Sequence, residues 1–145
     1  MSFEIIESEL NINVYGFSGT AINKNYSSMA FSLADKMWKV VKSNSLNNKG
    51  QNIWIYEPCE KVFAGVELFE KPQFEIGLEQ KSILLGKYAY YKHIGPYNLI
   101  KDIGDKMKSE LHNSGFETAF PYIEIYGHWI SDESKLETEL LICLK

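Results

Sequence analysis

The sequence predicts an α+β fold made of two βαββ units that together form a mostly antiparallel sheet. Three observations carry this expectation. The chain repeats itself at a spacing of 70 residues: Gly16 falls on Gly86, Asp35-Lys36-Met37 on Asp105-Lys106-Met107, and Glu67 on Glu137. Ile53, Ile55 and Tyr56 fall likewise on Ile123, Ile125 and Tyr126. Each half, about 1–75 and 80–145, holds one stretch with apolar residues at three- and four-residue steps, the period of a helix. Each half also holds short segments rich in β-branched and aromatic residues, the composition of strands.

The elements follow in order. In the first half INVYGFSG is a short strand with a glycine near its end. Phe31, Ala34, Trp38 and Val41, with Ala30, Leu33 and Met37 beside them, give a helix near 24–43 one apolar face. Asn47-Asn48-Lys49-Gly50 stops it, and NIWIYEP and VFAGVELFE continue as strands. In the second half SILLGKYAYYKHIG reads as one strand, punctuated by Gly95-Pro96. Ile100, Ile103, Met107 and Leu111 mark a helix near 97–113, ended at Ser114-Gly115, where glycine suits a left-handed cap. YIEIYGHW and ETELLICL close the unit as strands.

Composition excludes several classes of function. The chain has 145 residues, 45% of them apolar and 23% charged, which is ordinary for a globular domain and unlike a disordered one. The formal net charge is −4, whereas a nucleic-acid binder needs a basic surplus against phosphates, so direct nucleic-acid binding is not expected. Apolar runs are far shorter than the roughly 20 residues of a membrane span, and the acidic start MSFEIIESEL is no export signal. A cytoplasmic protein without membrane attachment is expected. The unusual feature is the aromatic content of 14%, with nine tyrosines that need hydroxyl partners when buried. Such a surplus points to a lined cavity.

The familiar catalytic signatures are absent. His93, His112 and His128 have no metal-ligand spacing, and no HExxH, GxSxG, phosphate loop or GxGxxG occurs. Neither a metal nor a cofactor is expected. What stands out is acids placed inside strands among aromatics. In YIEIY, period-two alternation puts Tyr122, Glu124 and Tyr126 on one face and Ile123 and Ile125 on the other. The isoleucines are expected to face the helices, and the Tyr-Glu-Tyr face to point away from them. The matching face of the first unit carries Trp54 and Tyr56. In ETELLICL, Glu139 heads an otherwise apolar run with Leu141 and Cys143, a place where a carboxylate is costly without a partner. A carboxylate ringed by tyrosine and tryptophan suits a lipophilic cation, through Coulomb attraction in a poor dielectric and ring faces that favour positive charge.

The order of YAYYKHIGPY, PYIEIY and the terminal strand TELLICL, with Trp38 and the YGF strand, resembles the gyrase-inhibitor-like (GyrI-like) family, known also as the effector-binding domain of AraC-type and MerR-type bacterial regulators. The resemblance covers nearly the whole chain. It implies a tandem pair of βαββ modules related by pseudo-twofold symmetry, with helices on one face and a ligand cleft between the modules. Two features depart from the family pattern. Cys143 stands where the last strand often carries proline, and no helix-turn-helix segment precedes Ser2-Phe3. A stand-alone member is therefore expected.

The resemblance also implies a ligand class and a site. Members bind bulky, often cationic aromatic compounds, with the terminal-strand glutamate as counter-charge. The matching residue is Glu139, with Glu124 the alternative. Trp54, Tyr56, Tyr91 and Tyr126 would form the walls, with Trp129 a further candidate. Two other activities occur in the family: hydrolysis of cyclopropane-bearing toxins, for which Glu139 or Glu124 would polarise water, and protection of gyrase as a protein partner. The expected function is sensing or sequestering a lipophilic, cationic small molecule. Hydrolysis of an electrophilic xenobiotic and interaction with gyrase or a regulator are the alternatives.

Overall fold

In the computed structural model, which describes residues 2–145, both expected helices form where the apolar stripes place them. Helix α1 spans Tyr26–Ser43 and α2 spans Ile100–Asn113, each entered through a short 3-10 turn, Ile22–Lys24 and Tyr97–Leu99. Ala30, Leu33, Ala34, Met37 and Val41 are buried on α1. Ile100, Gly104, Met107 and Leu111 are buried on α2. The strands are β1 (Glu4–Ile6), β2 (Leu10–Thr20), β3 (Asn52–Glu57), β4 (Lys61–Val66), β5 (Glu79–Leu85), β6 (Tyr88–Ile94), β7 (Thr118–Tyr126) and β8 (Glu137–Leu144).

These strands make one sheet in the order β1-β6-β8-β7-β3-β4-β2-β5, and every pairing is antiparallel. Reading outward from its middle, β7-β8-β6 mirrors β3-β4-β2. The two units are thus β2-α1-β3-β4 and β6-α2-β7-β8, meeting along the β3–β7 ladder. In that ladder Ile53 pairs with Ile125, Trp54 with Glu124 and Ile55 with Ile123. Since residue 54 and residue 124 are also mates in the repeat, the pseudo-twofold axis runs through the Trp54–Glu124 pair.

The repeat is not gapless. Leu46 donates to the Val41 carbonyl and Phe116 to the Leu111 carbonyl, both at 3.0 Å, so the helix ends keep the spacing of 70. Ile53 pairs with Gly65, however, while Ile123 pairs with Leu141, which sets β8 at 76 residues after β4. Gly65 in turn pairs with Gly16, and Leu141 with Tyr90, which sets β6 at 74 residues after β2. The Gly16–Gly86 and Glu67–Glu137 identities are therefore not structural equivalents. The physical cause is local: α2 has 14 residues where α1 has 18, and the β7–β8 connection contains an extra 3-10 turn, Glu133–Lys135.

A second correction concerns SILLGKYAYYKHIG, expected as a single strand. It breaks at Gly86-Lys87 into β5, at one edge of the sheet, and β6, next to the strand at the other edge. Three peptide steps from Leu85 to Tyr88 span about 10 Å, so the sheet has to curl until its ends meet. The inside of that curl is an apolar core of Ile12, Val14, Ile53, Ile55, Phe63, Ile83, Leu85, Ile123 and Leu141.

The face parity expected from the sequence is consequently reversed. The isoleucines do not meet the helices; they fill the curl. The Trp54, Tyr56, Glu124 and Tyr126 face is the one on which the helices pack. There α1 covers Phe17, Trp54, Val62, Ala64 and Val66. Helix α2 covers Ala89, Leu140, Ile142 and Leu144 on the same face. A strongly curled sheet has apolar layers on both sides, so an apolar face alone does not say which side the helices take. Among the described residues no helix is long and apolar enough to cross a membrane.

Candidate functional site

Between the two helices the seam of β3 and β7 stays open, forming a cleft of about 520 Å³. Its floor is Tyr56 from β3 and Tyr122, Glu124 and Tyr126 from β7. The strand period brings residues 122, 124 and 126 to one face, and the antiparallel register sets Tyr56 opposite Tyr122. Glu124 is only 6% exposed, a costly place for a carboxylate. Three phenols offset that cost. Tyr56 and Tyr126 donate to Oε1 at 2.9 and 2.8 Å, and Tyr122 donates to Oε2 at 2.9 Å. Hydrogen bonds to an ionised acceptor are the stronger kind.

The same contacts keep the phenols protonated. Burial pushes the hydroxyls of Tyr56, Tyr122 and Tyr126 far above their ordinary value, and the adjacent Glu124 charge pushes them further. The rings form a continuous aromatic wall. Tyr56 stacks on Tyr122 with centroids 5.5 Å apart, and Trp54 lies 4.6 Å from Tyr126. Tyr26, at the start of α1, meets Tyr56 edge-on at 5.8 Å. Tyr97, in the turn before α2, meets Tyr126 edge-on at 5.4 Å. His93 supports that turn: it is 5% exposed, and its Nε2 lies 3.0 Å from the Pro96 carbonyl oxygen. On α2, Gly104 leaves room for Tyr122, since a Cβ there would stand 3.0 Å from the hydroxyl.

Four of the residues expected from sequence come together here. Glu124, Tyr56 and Tyr126 line the cleft, and Trp54, 5% exposed, backs Tyr126. The other three lie elsewhere. On β8, Thr138, Leu140, Ile142 and Leu144 alternate with Glu139, Leu141 and Cys143, and the first set takes the helix side. Glu139, half-buried opposite Lys92 and Ile125, is therefore on the other face of the sheet from the cleft. Its partner is Tyr90, whose hydroxyl is pushed up to about 12 by burial first and by the Glu139 charge second. The expected convergence of aromatic surfaces on Glu139 does not occur, because Leu141 and Cys143 belong to the core inside the curl. Tyr91 shares the helix face but packs with the α2 core and does not line the cleft. Trp129 is 72% exposed in the β7–β8 connection.

Sequence reasoning missed Tyr26 and Tyr97 as walls. The available signal was that both stand at the entry to a helix following a strand, on the side where the units meet. A smaller cavity of about 310 Å³, between residues 44–47 and 70–76, holds none of the expected site residues.

No family model and no curated protein matches the sequence. Solved structures do match over the whole chain. The C-terminal domain of EcmrR superposes with a TM-score of 0.77 at 15% identity, covering 100% of this chain and 99% of that one. SAV2435, solved bound to tetraphenylphosphonium, gives 0.67 at 16% identity, covering 100% and 94%. The chain has the fold of these proteins. A hydrolase from Listeria innocua gives 0.57 at 12% identity, covering 99% and 91%. This is the architecture that the resemblance to the GyrI-like family implied, and a protein that shares it has been solved with a small molecule in place.

Proposed function

We propose that this chain binds bulky, lipophilic aromatic compounds carrying a positive charge, and so acts as a sensor or a sequestering protein for them. The observation that carries the reading is Glu124: one buried carboxylate at the floor of a cleft walled by tyrosines. Its charge attracts a cation strongly in that low-dielectric setting, and the ring faces add cation–π attraction of about 0.5–2 kcal/mol each. The tetraphenylphosphonium bound by SAV2435 belongs to the same chemical class.

Calorimetric titration with tetraphenylphosphonium and with neutral triphenylphosphine oxide tests this. The cation is expected to bind and the neutral compound to bind weakly; equal affinities would refute the role of Glu124.

Hydrolysis of an electrophilic xenobiotic by Glu124 or Glu139 is the alternative. Glu124 already accepts three phenol hydrogen bonds, two on Oε1 and one on Oε2, which leaves little of the carboxylate to orient a water and take its proton. That favours binding. Incubation with an electrophilic cyclopropane and a search by mass for the water adduct separates the two. A protein partner, gyrase or a regulator, is implied by the resemblance alone.

A further inference from the structure

The charge of the cleft is not uniformly negative, and this refines the ligand class. Glu124 lies at the floor, while Lys24, Lys101 and Lys108 line the mouth. All three lysines are exposed, and among the described residues none of them is paired with a carboxylate. Of the acids nearer the mouth, Glu57 is already engaged by Lys81, which leaves Asp105. The Lys108 ammonium lies 4.6 Å from the centroid of the Tyr122 ring. One of the aromatic faces that a bare cation would seek is thus already held by a cation of the chain. Going inward, the lining thus passes from three lysines, with Asp105 among them, to the single carboxylate of Glu124.

We infer that the cleft selects dipolar compounds: an aromatic body with its positive charge toward Glu124 and an anionic group, carboxylate or phosphate, toward the lysines at the mouth. This rests on the reading of the cleft as a small-molecule site, and deepens it. A purely cationic ligand meets repulsion at the rim and competes with Lys108 for Tyr122. A dipolar ligand matches both ends and leaves Lys108 a counter-ion. The lysines are solvent-exposed, so each contributes modestly and the effect is screened by salt.

The test uses tetramethylrhodamine, a zwitterion through its carboxylate, and its methyl ester, which keeps the same cationic ring system without the anion. Both are titrated against the full chain by fluorescence anisotropy at low and high salt, with tetraphenylphosphonium as a third probe. The acid is expected to bind about fivefold more tightly than the ester at low salt, with the preference shrinking as salt is added. In a Lys24→Met, Lys101→Met, Lys108→Met triple variant the preference should disappear, with the ester binding as well as before or better. Thermal unfolding of this variant should match the wild type, because the lysines are exposed. Equal binding of acid and ester, or tighter binding of the ester, overturns the dipolar selection while leaving the small-molecule site intact. Binding of tetraphenylphosphonium without either rhodamine does the same. Failure of all three probes would sink the reading of the cleft itself.

Discussion

Trp54 and Glu124 stand directly opposite each other across the β3–β7 ladder and hold equivalent places in their two units. One unit sets an indole beside the axis and the other a carboxylate. Two carboxylates at that separation would repel, and one of them would stay protonated. The indole instead contributes a ring against Tyr126, so a single charge is left with aromatic walls on both sides.

That placement separates the two acids expected from sequence. Glu124→Gln is expected to weaken a lipophilic cation by about 1.5–3 kcal/mol, the scale of a hydrogen bond or contact to a charged group. Glu139→Gln, on the other face of the sheet, is expected to leave the same affinity unchanged. Titration of both variants with tetraphenylphosphonium checks the pair, and an effect from Glu139→Gln as large as that from Glu124→Gln would contradict the assignment.

Gly104 gives a test in which binding and stability part company. Alanine there removes the helix penalty of glycine, worth about 1 kcal/mol. Its Cβ also presses on the Tyr122 hydroxyl at 3.0 Å and shifts that donor from Glu124. Gly104→Ala is expected to melt near the wild-type temperature, because the helix gain and the weakened hydrogen bond to buried Glu124 oppose each other, yet to bind cationic aromatics several-fold less tightly. Unchanged affinity would mean that the Tyr122 hydrogen bond does not shape the site.

High pH probes the phenols. Tyr56, Tyr122 and Tyr126 are harder to ionise in the folded chain than in the unfolded one, whose tyrosines titrate near 10. The stability they contribute is complete below pH 10. Above it the unfolded state releases protons first, and stability falls as pH rises. Tyr90 adds to the same loss between 10 and about 12. An absorbance titration at the tyrosinate band should show these three ionising only together with loss of circular dichroism. Reversible ionisation of all nine near pH 10 in a folded chain would contradict the buried arrangement.

Gly16 and Gly65 are cross-strand partners on the inner face of the curl. A Cβ on Gly16 would fall 1.9 Å from the Ala64 carbonyl oxygen, a backbone atom that cannot swing aside. Gly16→Ala is expected to cost about 3 kcal/mol through overpacking, visible as a lowered denaturant midpoint. A variant as stable as wild type would show that β2 and β4 can separate at no cost.

Much of the fold was legible because its signals are local. The apolar stripes of α1 and α2 and the alternation in YIEIY depend only on neighbours a few residues away. What the alternation could not reveal is which of its faces meets the helices, since Ile53, Ile55 and Ile123 are buried by the sheet's own curl. That curl is set by the break at Gly86-Lys87, where a continuous run of strand-forming residues hides a change of partner. The site was legible to the extent that Glu124, Tyr56 and Tyr126 share a parity. Glu139 misled because its apolar neighbours are a core signal in either direction, and only the pairing of β8 with β6 and β7 tells the two sides apart.

The position of the β3–β7 ladder has a consequence for how the chain reaches its folded state. Of the seven ladders among the described residues, only β3–β4 and β7–β8 join strands adjacent in sequence. The others wait for distant segments to meet, an ordering cost that places folding in the millisecond-to-second range of β-rich domains. Until β7 arrives, Asn52–Glu57 is a bare sheet edge carrying Ile53, Trp54, Ile55 and Tyr56, apolar on both faces. Such an edge templates pairing with another chain. During synthesis the first unit emerges before the strand that covers it, and aggregation through β3 is the hazard of that interval.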